Sequence, residues 1–163
     1  MSKLYLTIGI PGAGKTTYVR EHFKDAIVVS TDSIREELFG SESNLYHPSS
    51  DDTQKTEKEK VVAGHQMVFS EAYARCEKAL SEGTDVVFDA TNLSRWNRSN
   101  VRRRLATFFD EYIAIYFEPN LEVSLKRNRE RSRHVPEERI RAMAKKIEAP
   151  SDIEAFTEVW TIT

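Results

Sequence analysis

A chain of 163 residues has room for one domain, because domains cluster at about 100–150 residues and two halves would each be small. Hydrophobic residues make up 39% and charged residues 31%, which excludes disorder of the whole chain, and a formal charge of −2 excludes a bulk pull toward long nucleic acids, leaving local basic patches to bind phosphates. The single cysteine, Cys76, excludes an intrachain disulfide or a cysteine-based zinc site, and no apolar run approaches the ~20 residues that span a bilayer, so a cytoplasmic protein without a membrane is expected.

Residues 4–8 are a short apolar run ending at Gly9, and residues 15–23 carry a helical pattern, so the order is strand, glycine loop, helix. Pro11 and Gly12 interrupt this early apolar segment, and no leader peptide is expected. The loop reads Gly9-Ile10-Pro11-Gly12-Ala13-Gly14-Lys15-Thr16, followed by Thr17, and fills the pattern G-x-x-x-x-G-K-[ST]. In that pattern the glycines let backbone N–H groups curl around phosphates, the lysine reaches the β- and γ-phosphates, and the hydroxyl holds Mg²⁺. A glycine turn that only packed against a helix would need neither Lys15 nor Thr16. Nucleotide binding by residues 9 and 11–17 is the inference, helped by the positive end of the helix.

Residues 26–30 predict a second buried strand with Thr31 and Asp32 at its carboxyl end, and residues 33–39 a short helix. Asp32 either takes the proton of an attacking hydroxyl or caps that helix, and the residues alone leave both readings open. Arg35, three residues on, shares one side of the first turn and could hold an acceptor phosphate. Residues 40–52 lack periodicity and contain Pro48, predicting a mobile loop at 41–52 that could form a substrate-side flap. From 53 to 82, Val61, His65, Val68, Ala72, Cys76 and Leu80 recur on one helical face, so the long helix is amphipathic and both His65 and Cys76 read as core.

Residues 86–89 are a third strand ending at Asp89, which supports Mg²⁺ or merely occupies a turn; Thr91 and Asn92 follow at the same sheet edge. An arginine-rich surface helix is expected over 94–109, with Arg95, Arg98, Arg102, Arg103 and Arg104 in solvent. A fourth strand (112–117), two helices (121–131 and 136–147) and a fifth strand (158–162) complete the chain. Strands alternating with helices predict a single three-layer α/β domain over 1–163, the P-loop NTPase fold, with about five mostly parallel strands and helices on both faces. The basic segment 127–135 reads as a lid, and within it Arg127 and Arg131, four apart, are the pair best suited to the transferring oxygens.

Taken in order, these motifs resemble the kinase domain of phage-type 5′-polynucleotide kinases, among the adenylate-kinase-like P-loop kinases. The likeness runs from Leu6-Thr7-Ile8-Gly9 through the loop to Arg20-Glu21, then Asp32 with Arg35, and Asp89-Ala90-Thr91-Asn92-Leu93. It continues through Lys126-Arg127-Asn128 to Val135-Pro136 with Ile140-Arg141-Ala142-Met143. The resemblance implies ATP as donor with Mg²⁺, Asp32 as general base for a nucleic acid 5′-hydroxyl end, and Arg35 on the acceptor's phosphate. It implies Arg131 on the transferring phosphate, making Lys15, Asp32 and Arg131 the catalytic set, and Arg127 in the lid over ATP. Asp89, Thr91 and Asn92 join Arg35 at the acceptor, while Thr16, with Asp89 as a second candidate, holds the ion.

Phage enzymes place an acid directly before the Thr-Asn pair, where this chain has Ala90 and sets Asp89 one residue earlier, as many bacterial relatives do. The chain has no D-x-D-G-[TS] motif of a 3′-phosphatase and no Asn-Lys-x-Asp guanine motif. Relatives of this fold also phosphorylate small molecules, so a nucleoside, sugar, antibiotic or nucleotide-sugar acceptor is the alternative, and a nucleotide-binding switch without turnover is a third reading. Members of the family can form homo-oligomers.

Overall fold

The computed structural model describes residues 2–40, 56–132 and 134–163, so the loop expected at 41–52 and Arg133 of the expected lid lie outside the described residues. Among the described residues five strands, β1 (Lys3–Ile8), β2 (Ile27–Ser30), β3 (Val86–Asp89), β4 (Glu111–Phe117) and β5 (Glu158–Ile162), lie in the order β2-β3-β1-β4-β5. Every pairing is parallel. β1 and β4 take central places because their apolar residues are buried on both faces, the condition a parallel sheet imposes.

Among the described residues six helices cover the sheet: α1 (Lys15–His22), α2 (Thr31–Phe39), α3 (Glu57–Ser81), α4 (Arg95–Leu105), α5 (Leu121–Glu130) and α6 (Glu137–Lys146). On one face Leu4, Leu6 and Phe88 meet Val68, Ala72 and Cys76 of α3 and Val101 and Leu105 of α4. On the other, Tyr5, Val87, Ile113 and Ile115 meet Val19 of α1. A third cluster of Ile10, Leu125 and Ile140 fastens α5 and α6 to the glycine loop itself. Burying one such aliphatic side chain is worth about 1.5–3 kcal/mol, so the base of the basic segment is held firmly beside the loop.

Several expectations need correction. β2 is a short edge strand, and with β3 on one side only it leaves Ile27 44% and Val28 43% exposed, although the run read as buried. α2 begins at Thr31, because the Ser30 hydroxyl accepts from Ser33 N at 3.3 Å and caps it. α3 starts at Glu57 behind a capping box made by Thr56 and Glu59, and α4 stops at Leu105, short of 109. α5 ends at Glu130, so Arg131 is extended and does not continue the face of Arg127. Cys76 is core as expected, but His65 is only half-buried and lines a cleft. Arg98, assigned to solvent, is 1% exposed.

Candidate active site

β1 delivers the chain to Gly9, whose N–H donates to Thr91 O at 3.0 Å, so the loop leaves the sheet joined to the end of β3. The loop then turns through Gly12 (φ 82°) and Gly14 (φ 94°), backbone conformations that glycine adopts without a steric cost. At Gly12 a Cβ would also come within 2.5 Å of Ser124 O, at the face of α5. Gly14 is the N-cap of α1 and has no side chain to offer, so the first-turn amides of Lys15, Thr16 and Thr17 have no side-chain cap. Those amides and the helix dipole form a cradle for an anion. Pro11, Gly12, Gly14, Thr16 and Thr17 line the cleft there, whereas the Ala13 side chain turns inward against the two adjoining apolar clusters.

Lys15 folds back so that Nζ donates to Gly9 O and Ile10 O, both at 2.9 Å. Burial pushes its pKa down to about 8, against the opposing pull of Asp89 and Asp32 and with help from the positive charge of Arg131. These influences locate the strand-end acids and the basic segment around one ammonium. Arg127 reaches the loop from α5, its Nη1 donating to Gly12 O at 3.3 Å, and Arg131 is exposed at the mouth of the same cleft.

The parallel register pairs Ser30 with Asp89, which brings Asp32, two residues farther on, to the tip of the same sheet edge. Asp32 is 77% exposed and accepts from Arg35 Nη1 at 2.7 Å; its hydroxyl-bearing neighbour Ser30 has taken the capping role, so the carboxylate is left to the cleft. Arg35 is only 11% exposed, and its Nε is buried without an acceptor among the described residues. An unsatisfied guanidinium N–H at a cleft is costly unless a ligand supplies the acceptor.

Burial raises the pKa of the Asp89 carboxyl, offset by Lys15 and by the Thr7 hydroxyl 2.9 Å from Oδ1. Thr7 is a polar residue inside β1 that its sequence context gave only as part of a motif; its hydroxyl also accepts from Ala90 N at 3.2 Å. Asn92, at φ 45°, donates Nδ2 to Thr7 O at 2.8 Å and is 5% exposed. Thr91 and Asn92 therefore weld the ends of β1 and β3 together while lining the cleft.

Arg98 braces this junction from α4. Its Nη1 donates to Asn92 O at 2.8 Å and Leu93 O at 3.1 Å, and its Nε to Glu154 Oε1 at 2.6 Å. The signal that marks it, an arginine at the spacing of Val101 and Leu105, is hidden among four others on the helix.

All these groups except Gly9 and Ala13 border, or brace, one cleft of about 1390 Å³ at the carboxyl ends of the strands. Small-ligand pockets run to about 1,000 Å³, so the space exceeds the need of a single small molecule. Among the described residues no group of three or more His, Cys, Asp or Glu could hold a metal ion. Mg²⁺ does not require such a cage, since it binds through one or two protein oxygens plus substrate phosphates; Thr16 and Asp89 on the cleft wall fit that mode. Among the described residues no helix is long and apolar enough to cross a membrane.

Comparison with known proteins agrees with this fold. A family described as an AAA domain matches residues 4–150. A protein of Autographa californica nuclear polyhedrosis virus, provisionally named a bifunctional polynucleotide kinase/RNA ligase, is 27% identical over 163 residues. The match takes in 96% of this chain but only 22% of that protein, so the chain spans about a fifth of the length of its curated relative. Solved structures of similar fold include two with differently named activities. One, from the Pnkp1/Rnl/Hen1 RNA repair complex, has a TM-score of 0.68 at 20% identity, covering 90% of this chain and 44% of that one. The other, a sugar kinase from Janibacter sp., has a TM-score of 0.66 at 13% identity, covering 99% and 86%.

Proposed function

Since the chain belongs to the AAA domain family, as a P-loop kinase domain of the polynucleotide kinase-like kind, we propose that it transfers the γ-phosphate of ATP to the 5′-hydroxyl of a nucleic acid end. The observation that carries this reading is the Asp32–Arg35 pair: a carboxylate relieved of capping and open to the cleft, beside a buried guanidinium with an N–H to spare. Asp32 accepts the proton of the attacking hydroxyl, and Arg35 holds the phosphate that follows the terminal nucleotide, which a free sugar would lack. The α1 amides and Lys15 bind the donor phosphates, with Lys15 exchanging the Gly9 and Ile10 carbonyls for them. Arg127 closes over the loop, and Arg131 meets the negative charge of the transferring group. Thr16 and Asp89, both on the cleft wall, would hold Mg²⁺, which would supply charge neutralisation on the phosphate oxygens. Asp89, Thr91 and Asn92 shape the acceptor side.

A second reading is a small-molecule hydroxyl acceptor, favoured by the net charge of −2 and by the fold likeness to a sugar kinase. Transfer of labelled γ-phosphate to 5′-hydroxyl oligonucleotides, run beside a panel of nucleosides and sugars, tests the two. Labelled oligonucleotide is expected, falling at least 100-fold in Asp32→Asn with little change in nucleotide affinity. Labelling of a sugar or nucleoside alone would overturn the acceptor assignment.

A further inference from the structure

The acceptor half of the cleft holds a residue that neither the fold nor the chemistry above accounts for. Trp96, in the first turn of α4, is 71% exposed and lines the cleft. A tryptophan normally buries most of its ring, and leaving it in water forgoes a large apolar contribution. Its placement is nonetheless rigid. Ser94 caps α4 by accepting from Asn97 N at 3.1 Å, and two residues beyond Trp96 the buried Arg98 ties the helix to Asn92, Leu93 and Glu154. The ring is thus an exposed surface on a fixed mount, which is the form a binding platform takes.

The wall bordered by Trp96 is on the acceptor side. α4 follows directly from the Asp89–Asn92 strand end, and α3, which packs against both α2 and α4, contributes Val62, 47% exposed, and Gln66. Asn97 and Asn100 project along the same stretch of α4 and line the cleft with it. An aromatic face sharing its cleft with amide side chains suits a flat, heteroatom-edged ring: the face offers stacking and the amides offer hydrogen-bonding groups to the ring edge.

We infer that Trp96 is the stacking platform for the terminal nucleobase of a single-stranded acceptor, so that the 5′-hydroxyl is presented to Asp32 by stacking of its own base. The inference rests on the nucleic acid reading of the same site and deepens it. Stacking tolerates any base, since every base has a π-face, so the site should grip the end of a strand with little sequence preference. A base paired within a blunt duplex has its face covered by its neighbour and is a poorer acceptor.

The test uses the full chain and two acceptors that differ only in the terminal base: a single-stranded 5′-hydroxyl oligonucleotide and the same strand with an abasic first nucleotide. Trp96→Ala is expected to raise KM for the ordinary strand about ten-fold while leaving the abasic strand unchanged, and Trp96→Phe is expected to restore most of the loss. The chain has two tryptophans, and Trp160, on β5, packs against Tyr5 and Phe23, so Trp160→Phe leaves Trp96 as the single tryptophan, read by excitation at the red edge where tyrosine does not absorb. In that variant the ordinary strand should quench emission and the abasic strand should not. Equal KM values for wild type and Trp96→Ala on a strand that is phosphorylated would overturn the platform and leave the 5′-kinase reading intact. A wild-type protein that phosphorylates no oligonucleotide would overturn both.

Discussion

Lys15 ties the two halves of the site to pH. Its pKa of about 8 arises chiefly from burial, and the pull of Asp89 and Asp32 is too weak to restore the usual value of 10.5. The charged form is thus disfavoured in the folded protein relative to the unfolded chain; that penalty is full below pH 8 and fades as pH rises from 8 toward 10.5. Nucleotide phosphates reverse the balance, because they reward the ammonium. Affinity for ADP should be flat below pH 8 and weaken above it, approaching ten-fold per pH unit, as a proton must be taken up on binding. Isothermal titration from pH 6.5 to 9.5 checks this. Lys15→Met should bind weakly with no such slope, and an unchanged slope in that variant would mean that another group is responsible. Lys15 and its loop were legible in the sequence because their chemistry is local, each residue serving the same turn. Whether Asp32 caps its helix was not, because that depended on Ser30 claiming Ser33 N.

At the scale of the element, α4 shows where periodicity misleads. Five arginines on one helix read as a solvated face, yet one of them is the largest fully buried side chain among the described residues. Its partner, Glu154, is 56 residues away in the 3₁₀ turn Asp152–Glu154, a contact no local pattern encodes. Burial would raise the Glu154 carboxyl, but hydrogen bonds from Arg98 and Ser151 outweigh it and hold the pKa below 4.5. The pair therefore stabilises the fold at neutral pH, and its contribution is lost as pH falls through the folded pKa. Arg98→Met should cost about 3–5 kcal/mol in urea unfolding, since it leaves a carboxylate buried without its partner. Arg98→Met with Glu154→Gln should cost less than the sum of the two single changes. Additive costs would show that the two side chains act independently. The basic segment that follows α5 illustrates the opposite case. Its basic residues stood out in the sequence, but the device that shapes it, Asn128 bonding Val135 through both Nδ2 (2.8 Å) and Oδ1 (2.9 Å), was visible only as part of a motif.

For the whole molecule, alternation of strands and helices was enough to specify a parallel three-layer sheet, because short connections and right-handed crossovers leave few ways to cover both faces. The order β2-β3-β1-β4-β5 was not, and with it went the knowledge that β2 is an edge and that Asp32 and Asp89 share one tip. That order has an energetic consequence. It gathers Lys15, Arg127 and Arg131 around the uncapped amides of α1, from elements as distant in sequence as α1 and α5, so the native state alone brings these cationic groups and amides together and the unfolded chain does not. A ligand that binds only the native state at 100 times its Kd adds about 2.7 kcal/mol, which for a domain of this size raises Tm by roughly 5–10 °C. ADP should produce that shift and adenosine, lacking the phosphates, should produce little. Lys15→Ala should abolish it, and Asp32→Asn, which alters the acceptor side, should keep it. An equal shift with adenosine would place the binding energy on the base and not in the cradle. Loss of the shift in Asp32→Asn would mean that the donor and acceptor halves of the cleft are one energetic unit.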